Sequence, residues 1–481
     1  MVRLLLEAYY EPTFSDRSHG FRPGRGCHTA LSEVAVAWTG TTWFIESDIA
    51  QCFDRLNHSV MLEILGEKIH DGRFLRLLRN MLQAGYLEDW EWNATLSGAP
   101  QGGVASPILS NIYLDRLDRY VETELIPQYT RGEVRKPNPT YVEVRNALKR
   151  ARSRGDRVTV RQLRKQQRSL PSGDPQDPGY RRLRYARYAD DQLFGFAGPK
   201  AEAEQIKARL TAFLRDDLKL ELSQEKTLIT HARTGAAKFL GYEITVQHAN
   251  HRRSINGAVG LRVPTAVVKA KCAPYRKLGK PEARTRLVHE DDHTVVETYG
   301  AEYRGLVNYY LLAGDVWRLN RVHWVMETSL LKTLACKYGS TVTKMAARYK
   351  TTIDTPHGPR KCLQATVTRT GRKPLTATFG GIPLKRQQKA ILTDRKPPQG
   401  VIIRRTELIQ RLQTGRCEMC QHTGEVEVHH VGKLAHLGRP GKPQPPWAHL
   451  MTRRGRKTLV VCAVCHDVVH DRRPTATTHT E

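Results

Sequence analysis

RYARYADDQLFGFA (residues 184–197) decides how the rest of the chain is read. Apolar and aromatic residues flank two adjacent carboxylates, Asp190 and Asp191, so the segment predicts a hairpin with the acids at its tip. TTWFIESDIA (residues 41–50) is also β-rich and apolar, and it runs up to a third carboxylate, Asp48. An Asp-Asp pair alone is most often a solvated turn. Carboxylates on adjacent strands, however, can hold two divalent cations about 3.5–4 Å apart, the arrangement that nucleotidyl transfer needs. One ion activates the attacking 3′-oxygen and the other steadies the leaving pyrophosphate.

Around this core, strand-like and helix-like stretches alternate over residues 1–120. Residues 58–83 carry Leu, Ile and Met at helical spacing. Residues 131–184 hold sixteen Lys/Arg against five Asp/Glu and end in LPSGDPQDPGY. They are expected to form a solvated, partly helical insertion, which in a polymerase would offer a basic surface to template or structured RNA. After the hairpin come a helix from Lys200 to about Asp217 and short strands near residues 220–222 and 238–244. Residues 302–350 read as two or three helices, with Leu306, Tyr309, Leu312, Trp317, Trp324, Leu331 and Leu334 on the apolar face. Residues 351–416 carry fourteen Lys/Arg against three acids. They read as a basic DNA-binding linker, or as a solvated tether. No internal repeat is evident.

Composition narrows the partners. The 481 residues include 77 Lys/Arg and 48 Asp/Glu, a formal net charge of +29. Such a surplus favours a polyanion, because each neutralised phosphate releases a counterion. Anionic membrane is the competing partner, but no apolar run approaches the roughly 20 residues that span a bilayer, and no signal-peptide pattern opens the chain. Five of the nine cysteines are scattered (Cys27, Cys52, Cys272, Cys336, Cys362) and four form two Cys-x-x-Cys pairs. That distribution suits a reducing compartment with one metal site better than a disulfide framework.

FSDRSHGFRPGRGCHTAL (residues 14–31), FIESDIAQCFDRLNH (44–58), GAPQGGVASPILSNIYLDRLD (98–118), the Asp-Asp hairpin, and LELSQEKTLIT with KFLGYEI (220–230 and 238–244) resemble, in order, blocks of the group II intron reverse transcriptases. The resemblance implies an α+β chain with a right-hand polymerase palm and partial fingers. Asp48 and Asp190 would ligate two Mg2+ ions, with Asp191 as the supporting carboxylate. Phe53 would be the aromatic that blocks a ribose 2′-hydroxyl, although a plain core Phe is the simpler reading. Gln101 would lie near the incoming dNTP, with Gly102 and Gly103 allowing close backbone approach. Lys226 would sit near the departing pyrophosphate. EYRGLVNYYLLAGDVWRLNRVHWVMETSLLKTLACKYG (302–339) resembles the helical thumb or maturase domain of the same family, which binds intron RNA and assists splicing.

The C-terminus carries a second constellation. Cys417, Cys420, Cys462 and Cys465 supply four thiolates in two knuckles, as in a closed tetrahedral zinc site. His429-His430 follow a strand-like EVEV, and Cys465 runs into His466-x-x-x-His470, whose spacing puts both imidazoles on one helical face. Four Cys would hold a structural Zn2+, while His429, His466 and His470 would hold a second divalent ion, expected to be Mg2+. His430 is left to activate water, as histidine's pKa near neutrality allows. A purely structural zinc ribbon is the alternative. The pattern is similar to the HNH nucleases, a ββα-metal fold, and RRGRKTLVVCAVCHDVVH (453–470) resembles the version carried by group II intron proteins. Lys457-Thr458 stand where many HNH nucleases place Asn, which leaves the middle role open.

The expected organisation is therefore a reverse-transcriptase fingers remnant and palm (1–250), a helical thumb or maturase domain (251–350), the basic linker (351–416), an HNH endonuclease (417–473) and a tail (474–481). The implied protein copies RNA into DNA, assists splicing, and nicks target DNA to generate a primer. Intron RNA, target DNA and dNTPs are its partners, a homodimer is allowed, and the location is the bacterial cytoplasm or nucleoid. Two other readings are a splicing maturase whose polymerase is idle and an HNH nuclease on a basic scaffold. Only twenty residues precede Phe21, and VRLLLEAYYEPTFSD (2–16) resembles the end of a longer fingers segment. On that resemblance the chain is expected to be truncated and its polymerase weak.

Overall fold

In the computed structural model the described residues are 1–88, 91–93, 97–98, 103–175, 177–249, 256–369, 372–389, 392, 408, 411–412, 414–430, 446–454 and 457–470. They fall into two compact units. The first comprises Met1–Pro264 with Leu312–Asp315 and Arg386–Arg395; the second comprises Thr265–Leu311, Val316–Lys385 and Lys396–Glu481.

In the first unit, α1 (Val2–Tyr10) and α2 (Cys27–Ala37) precede β1 (Trp43–Asp48), in which Phe44, Ile45, Glu46 and Ser47 are all buried. A strand buried at consecutive positions is covered on both faces, and buried Glu46 is satisfied there by Thr230 Oγ1 and Lys238 N. A short α3 (Cys52–Arg55) follows, and the helical stretch beyond it divides into α4 (His58–Gly66) and α5 (Gly72–Gln83). Caps set the division: Asn57 accepts from Ser59 N and Val60 N, and Asp71 from Arg73 N and Phe74 N. A small hairpin, β2 (Tyr86–Glu88) and β3 (Glu91–Asn93), leads to α6 (Ser106–Tyr120), which is buried along most of its length.

After α7 (Ile126–Gln128), the basic insertion forms α8 (Pro139–Ser153) and α9 (Arg157–Ser169), capped by Asn138 and Asp156. Then come β4 (Arg182–Tyr188), β5 (Asp191–Ala197), α10 (Lys200–Asp216), β6 (Ile229–His231), β7 (Ala237–Phe239), β8 (Tyr242–Val246) and β9 (Val259–Arg262). The main sheet has the order β4-β5-β1-β6, and β7-β8-β9 form a second. Ala203, Ile206, Leu210 and Leu214 of α10 and Ile112, Tyr113 and Leu117 of α6 join one core with Ile45 and Phe194. The strand expected at residues 220–222 is only a bridge between Leu222 and Ile49. A turn follows it, and the chain regains β1 at Ile229, which supplies the real fourth strand.

In the second unit, α11 (Thr265–Cys272) and a two-residue ladder, β10 (Arg276–Lys277) with β11 (Lys280–Pro281), precede α12 (Asp292–Tyr310), α13 (Asn320–Tyr338) and α14 (Val342–Tyr349). The apolar face differs from expectation. Trp317 and Trp324 are 62% and 54% exposed, whereas Val322, Met326, Leu330 and Leu334 are buried. Two residues beyond Val322 lies about 200° round a helix, so Trp324 points away from the buried stripe.

The segment expected as a linker begins as folded structure: β12 (Lys350–Thr355), β13 (Gly358–Arg369) and β14 (Arg372–Gly380) form an antiparallel sheet. Hydrophobic burial on α12 holds it there, with Phe379 set 5.3 Å from the Tyr303 ring. A Cβ on Gly300 would collide with the Thr378 carbonyl, so only glycine permits this approach. The C-terminal module pairs β15 (Glu427–His430) with β16 (Thr458–Val461), flanked by α15 (Pro446–Arg454) and α16 (Ala463–Val469). Its small core is Cys417, Met451, Leu459 and Val461.

Candidate functional site

β1 and β5 pair antiparallel with Asp48 directly opposite Asp191, so the two carboxylates share one face of the sheet. Asp190 precedes Asp191 in the hairpin turn, after Ala189 in a left-handed conformation (φ 54°). Burial, then repulsion from Asp190 and Asp48, pushes the Asp191 carboxyl up to about 6. Burial likewise raises Asp190, with Asp48 adding to it. Crowded, half-buried acids of this kind call for compensating positive charge. Lys226 supplies one such charge, its Nζ 2.7 Å from Asp48 Oδ2, and this contact raises the Lys226 pKa. Asp48 and Asp191, opposite each other in register with Asp190 adjacent in sequence, are oxygen donors of the kind that hard divalent cations take.

What positions the turn is a buried charge network that sequence reading did not single out. Arg187 and Asp118 are each completely enclosed, with Nη2 to Oδ2 at 2.5 Å and Nε to Oδ1 at 2.8 Å. Burial opposes the Arg187 charge, but Asp118 more than offsets this and raises its pKa. The same guanidinium donates to the Ala189 carbonyl at 2.9 Å and to Ser18 Oγ at 2.8 Å. Tyr185 completes the Asp118 shell by donating to Oδ1. Asn111 donates to the Gly20 carbonyl at 2.9 Å. Gly20 lies against the turn so closely that a Cβ would collide with Ala189 N. Sequence offered no clear signal here, because β4 carries three arginines, Arg182, Arg184 and Arg187, and only burial sets the third apart.

Phe53 is half-buried on α3 and meets the Phe21 ring edge-on at 6.3 Å. Gln101 and Gly102 lie outside the described residues. Gly98, just upstream, donates its N–H to the Leu56 carbonyl at 2.7 Å, which ties this segment to the end of α3.

The C-terminal module brings its two predicted sets together. The Sγ atoms of Cys417, Cys420, Cys462 and Cys465 lie within 4.8 Å of one another, with Cys420 to Cys462 at 3.8 Å. Thiolates about 2.3 Å from a tetrahedral zinc stand about 3.8 Å apart, so the set fits that ion. Burial opposes a Cys417 thiolate, but N–H groups of Cys420, Cys462 and Met419 donate to it and bring its pKa down to about 6.

His429, His466 and His470 also place their ligand nitrogens within 4.8 Å. Burial and the two neighbouring imidazoles lower the His429 pKa, keeping it neutral and able to ligate. His466 Nδ1 lies 2.8 Å from Glu427 Oε2, the carboxylate support that metal-binding histidines commonly have, and sequence reading missed it. His430, the next residue along β15, is exposed where His429 is buried, in keeping with strand alternation. Its ring stands 5.4 Å from His289 and edge-on to it.

Three family models match the chain: reverse transcriptase (RNA-dependent DNA polymerase) over residues 1–244, type II intron maturase over 265–367, and AI2M/AI1M-like HNH endonuclease over 417–466. The chain is similar to the group II intron-encoded protein LtrA of Lactococcus lactis subsp. cremoris, at 35% identity over 98% of this chain and 81% of that protein. A putative COX1/OXI3 intron 2 protein of Saccharomyces cerevisiae is 30% identical over 98% of this chain and 56% of its own length. Protein YkfC of Escherichia coli is 32% identical over 50% and 58%.

Proposed function

The chain belongs to the group II intron-encoded proteins, reverse transcriptases and maturases with an HNH endonuclease domain, and from that premise we propose how its residues divide the work. Asp48, Asp190 and Asp191 hold two Mg2+ ions in the polymerase palm; the carrying observation is the Asp48–Asp191 register with Asp190 beside it. Two ions bound there would supply activation of the primer 3′-oxygen and neutralisation of charge on the leaving pyrophosphate. Lys226, 70% exposed beside Asp48, is positioned to exchange that carboxylate for the triphosphate of an incoming dNTP. Phe53 is the ring beneath the sugar, and by family resemblance Gln101 serves the incoming nucleotide. The Arg/Lys-rich α8–α9 pair and the helical second unit contribute cationic surface for intron RNA, where affinity rests on phosphate contacts.

In the C-terminal module the four Cys hold a structural Zn2+. Their chemistry matches a closed site, with no vertex left for substrate. His429, His466 and His470 would hold a divalent ion, which would supply charge stabilisation at a DNA phosphate. Glu427 fixes the His466 ring, and exposed His430 takes the proton of the attacking water. A nick in target DNA then supplies the 3′-hydroxyl that the palm extends. Among the described residues no helix is long and apolar enough to cross a membrane.

Primer extension on an RNA template by the full chain, beside its Asp190→Asn variant, tests the assignment. The variant is expected to lose DNA synthesis while filter binding to RNA is unchanged. Extension that survives the substitution overturns the metal-ligand role.

A further inference from the structure

We propose that Phe21 is a specificity-determining residue of the polymerase site: its ring braces Phe53 so that the pocket accepts deoxyribonucleoside and refuses ribonucleoside triphosphates. The inference rests on the assignment of Phe53 to the place beneath the sugar.

Phe21 has a left-handed backbone, φ 58°, which is a genuine outlier for a bulky residue. The residue stays 43% exposed, unlike the fully buried aromatics of the palm core. Anchors on both sides impose the conformation. On one side, His19 N donates to the Arg187 carbonyl at 2.8 Å, and Gly20 is held by Asn111 against the Asp-Asp turn. On the other, the Arg22 side chain is buried, donating to Glu11 Oε1 at 2.9 Å and to the Ser15 and Ser18 carbonyls at 2.5 and 2.8 Å. A glycine would occupy position 21 without this strain, so the phenylalanine is kept there against a backbone penalty. Strain kept in this way marks a functional constraint.

The ring shows what the constraint is. It stands edge-on to Phe53 at 6.3 Å with planes 77° apart, and 6.2 Å from Tyr188, which pairs with Asp191 in the hairpin. Both distances suit aromatic pairing. Phe53 sits on a four-residue helix and is only half buried, so little else in its own element limits its swing. Phe21 closes one side of that swing and ties the ring to the carboxylate turn. Without it, Phe53 can rotate away and open space for a 2′-hydroxyl.

The test compares Phe21→Gly, Phe21→Leu, Phe53→Val and the Phe21→Gly/Phe53→Val double variant in the full chain. Each is scored by single-nucleotide incorporation of dNTP against rNTP and by thermal midpoint. Phe21→Gly is expected to shift the midpoint little, because relief of left-handed strain offsets the lost ring packing, while discrimination falls several-fold. Phe21→Leu should fall between Phe21→Gly and the parent protein. Phe53→Val should lose roughly tenfold or more. The double variant should be no worse than Phe53→Val, since both residues act on one ring. Unchanged discrimination in Phe21→Gly beside a loss in Phe53→Val overturns the bracing role and leaves the Phe53 assignment standing. Additive losses also overturn it. Unchanged discrimination in Phe53→Val overturns the Phe53 assignment, and the proposal with it.

Discussion

Arg187 and Asp118 form an ion pair from which solvent is wholly excluded, and the same guanidinium holds the Ala189 carbonyl of the Asp-Asp turn. A buried pair is expensive to break because one charge is left without a partner. Arg187→Met should therefore cost about 3–5 kcal/mol in chemical denaturation. Arg187→Met with Asp118→Leu should recover most of that stability. Polymerase activity should stay low in the double variant, since Ala189 has still lost its donor. Full activity there would mean that the network serves stability alone.

The Asp191 carboxyl, raised to about 6, sets a pH dependence with a definite sign. Its folded pKa lies above its unfolded value, so its contribution to metal-free stability is fully present below pH ~4. That contribution is lost as pH rises through about 6. Divalent ions act in the opposite sense, because they bind once the proton leaves. Melting curves in chelator should show stability falling between those limits, and Mn2+ binding should tighten over the same range. Flat profiles would contradict a crowded carboxylate site.

On the proposed assignment Lys226 would compete with cations for Asp48 while serving the triphosphate, since its Nζ lies 2.7 Å from Asp48 Oδ2. Its side chain is 70% exposed, so Lys226→Ala should leave the fold intact. The KM for dNTP is expected to rise several-fold and divalent affinity without nucleotide to increase. A fall in kcat alone would place Lys226 elsewhere in the reaction.

His430→Ala should abolish plasmid nicking with zinc content unchanged, since the residue lies outside both ligand sets. Cys462→Ser should instead release zinc and unfold the small C-terminal module, since on the proposed assignment its folding would draw on metal binding. Metal analysis and a nicking assay on each variant separate the two roles. Normal nicking by His430→Ala would return the module to a structural zinc ribbon.

Gly300 reports on the sheet that replaces the expected linker. A Cβ there meets the Thr378 carbonyl, so Gly300→Ala should destabilise the second unit by about 1–3 kcal/mol. A midpoint equal to the parent protein's would show that β14 does not rest on α12.

The chain by itself determined which chemistry is present. The β1 and β4–β5 strands follow from short-range apolar patterning, the Cys-x-x-Cys pairs and the His466/His470 pair are read from their spacing, and the carboxylate roles come from the resemblance to group II intron reverse transcriptases. Local pattern could not show that residues 350–380 fold onto α12, because that depends on a glycine and an aromatic contact some 80 positions apart in sequence. Nor could it place Trp324 outside the core, since burial there is settled by which helical face a neighbour covers. Arg187, Asp118 and Phe21 looked like an ordinary charge, an ordinary acid and an ordinary aromatic. Only tertiary structure excludes water from the first two and holds the third in a strained backbone against Phe53, and burial and strain arise from long-range contacts that no segment contains alone.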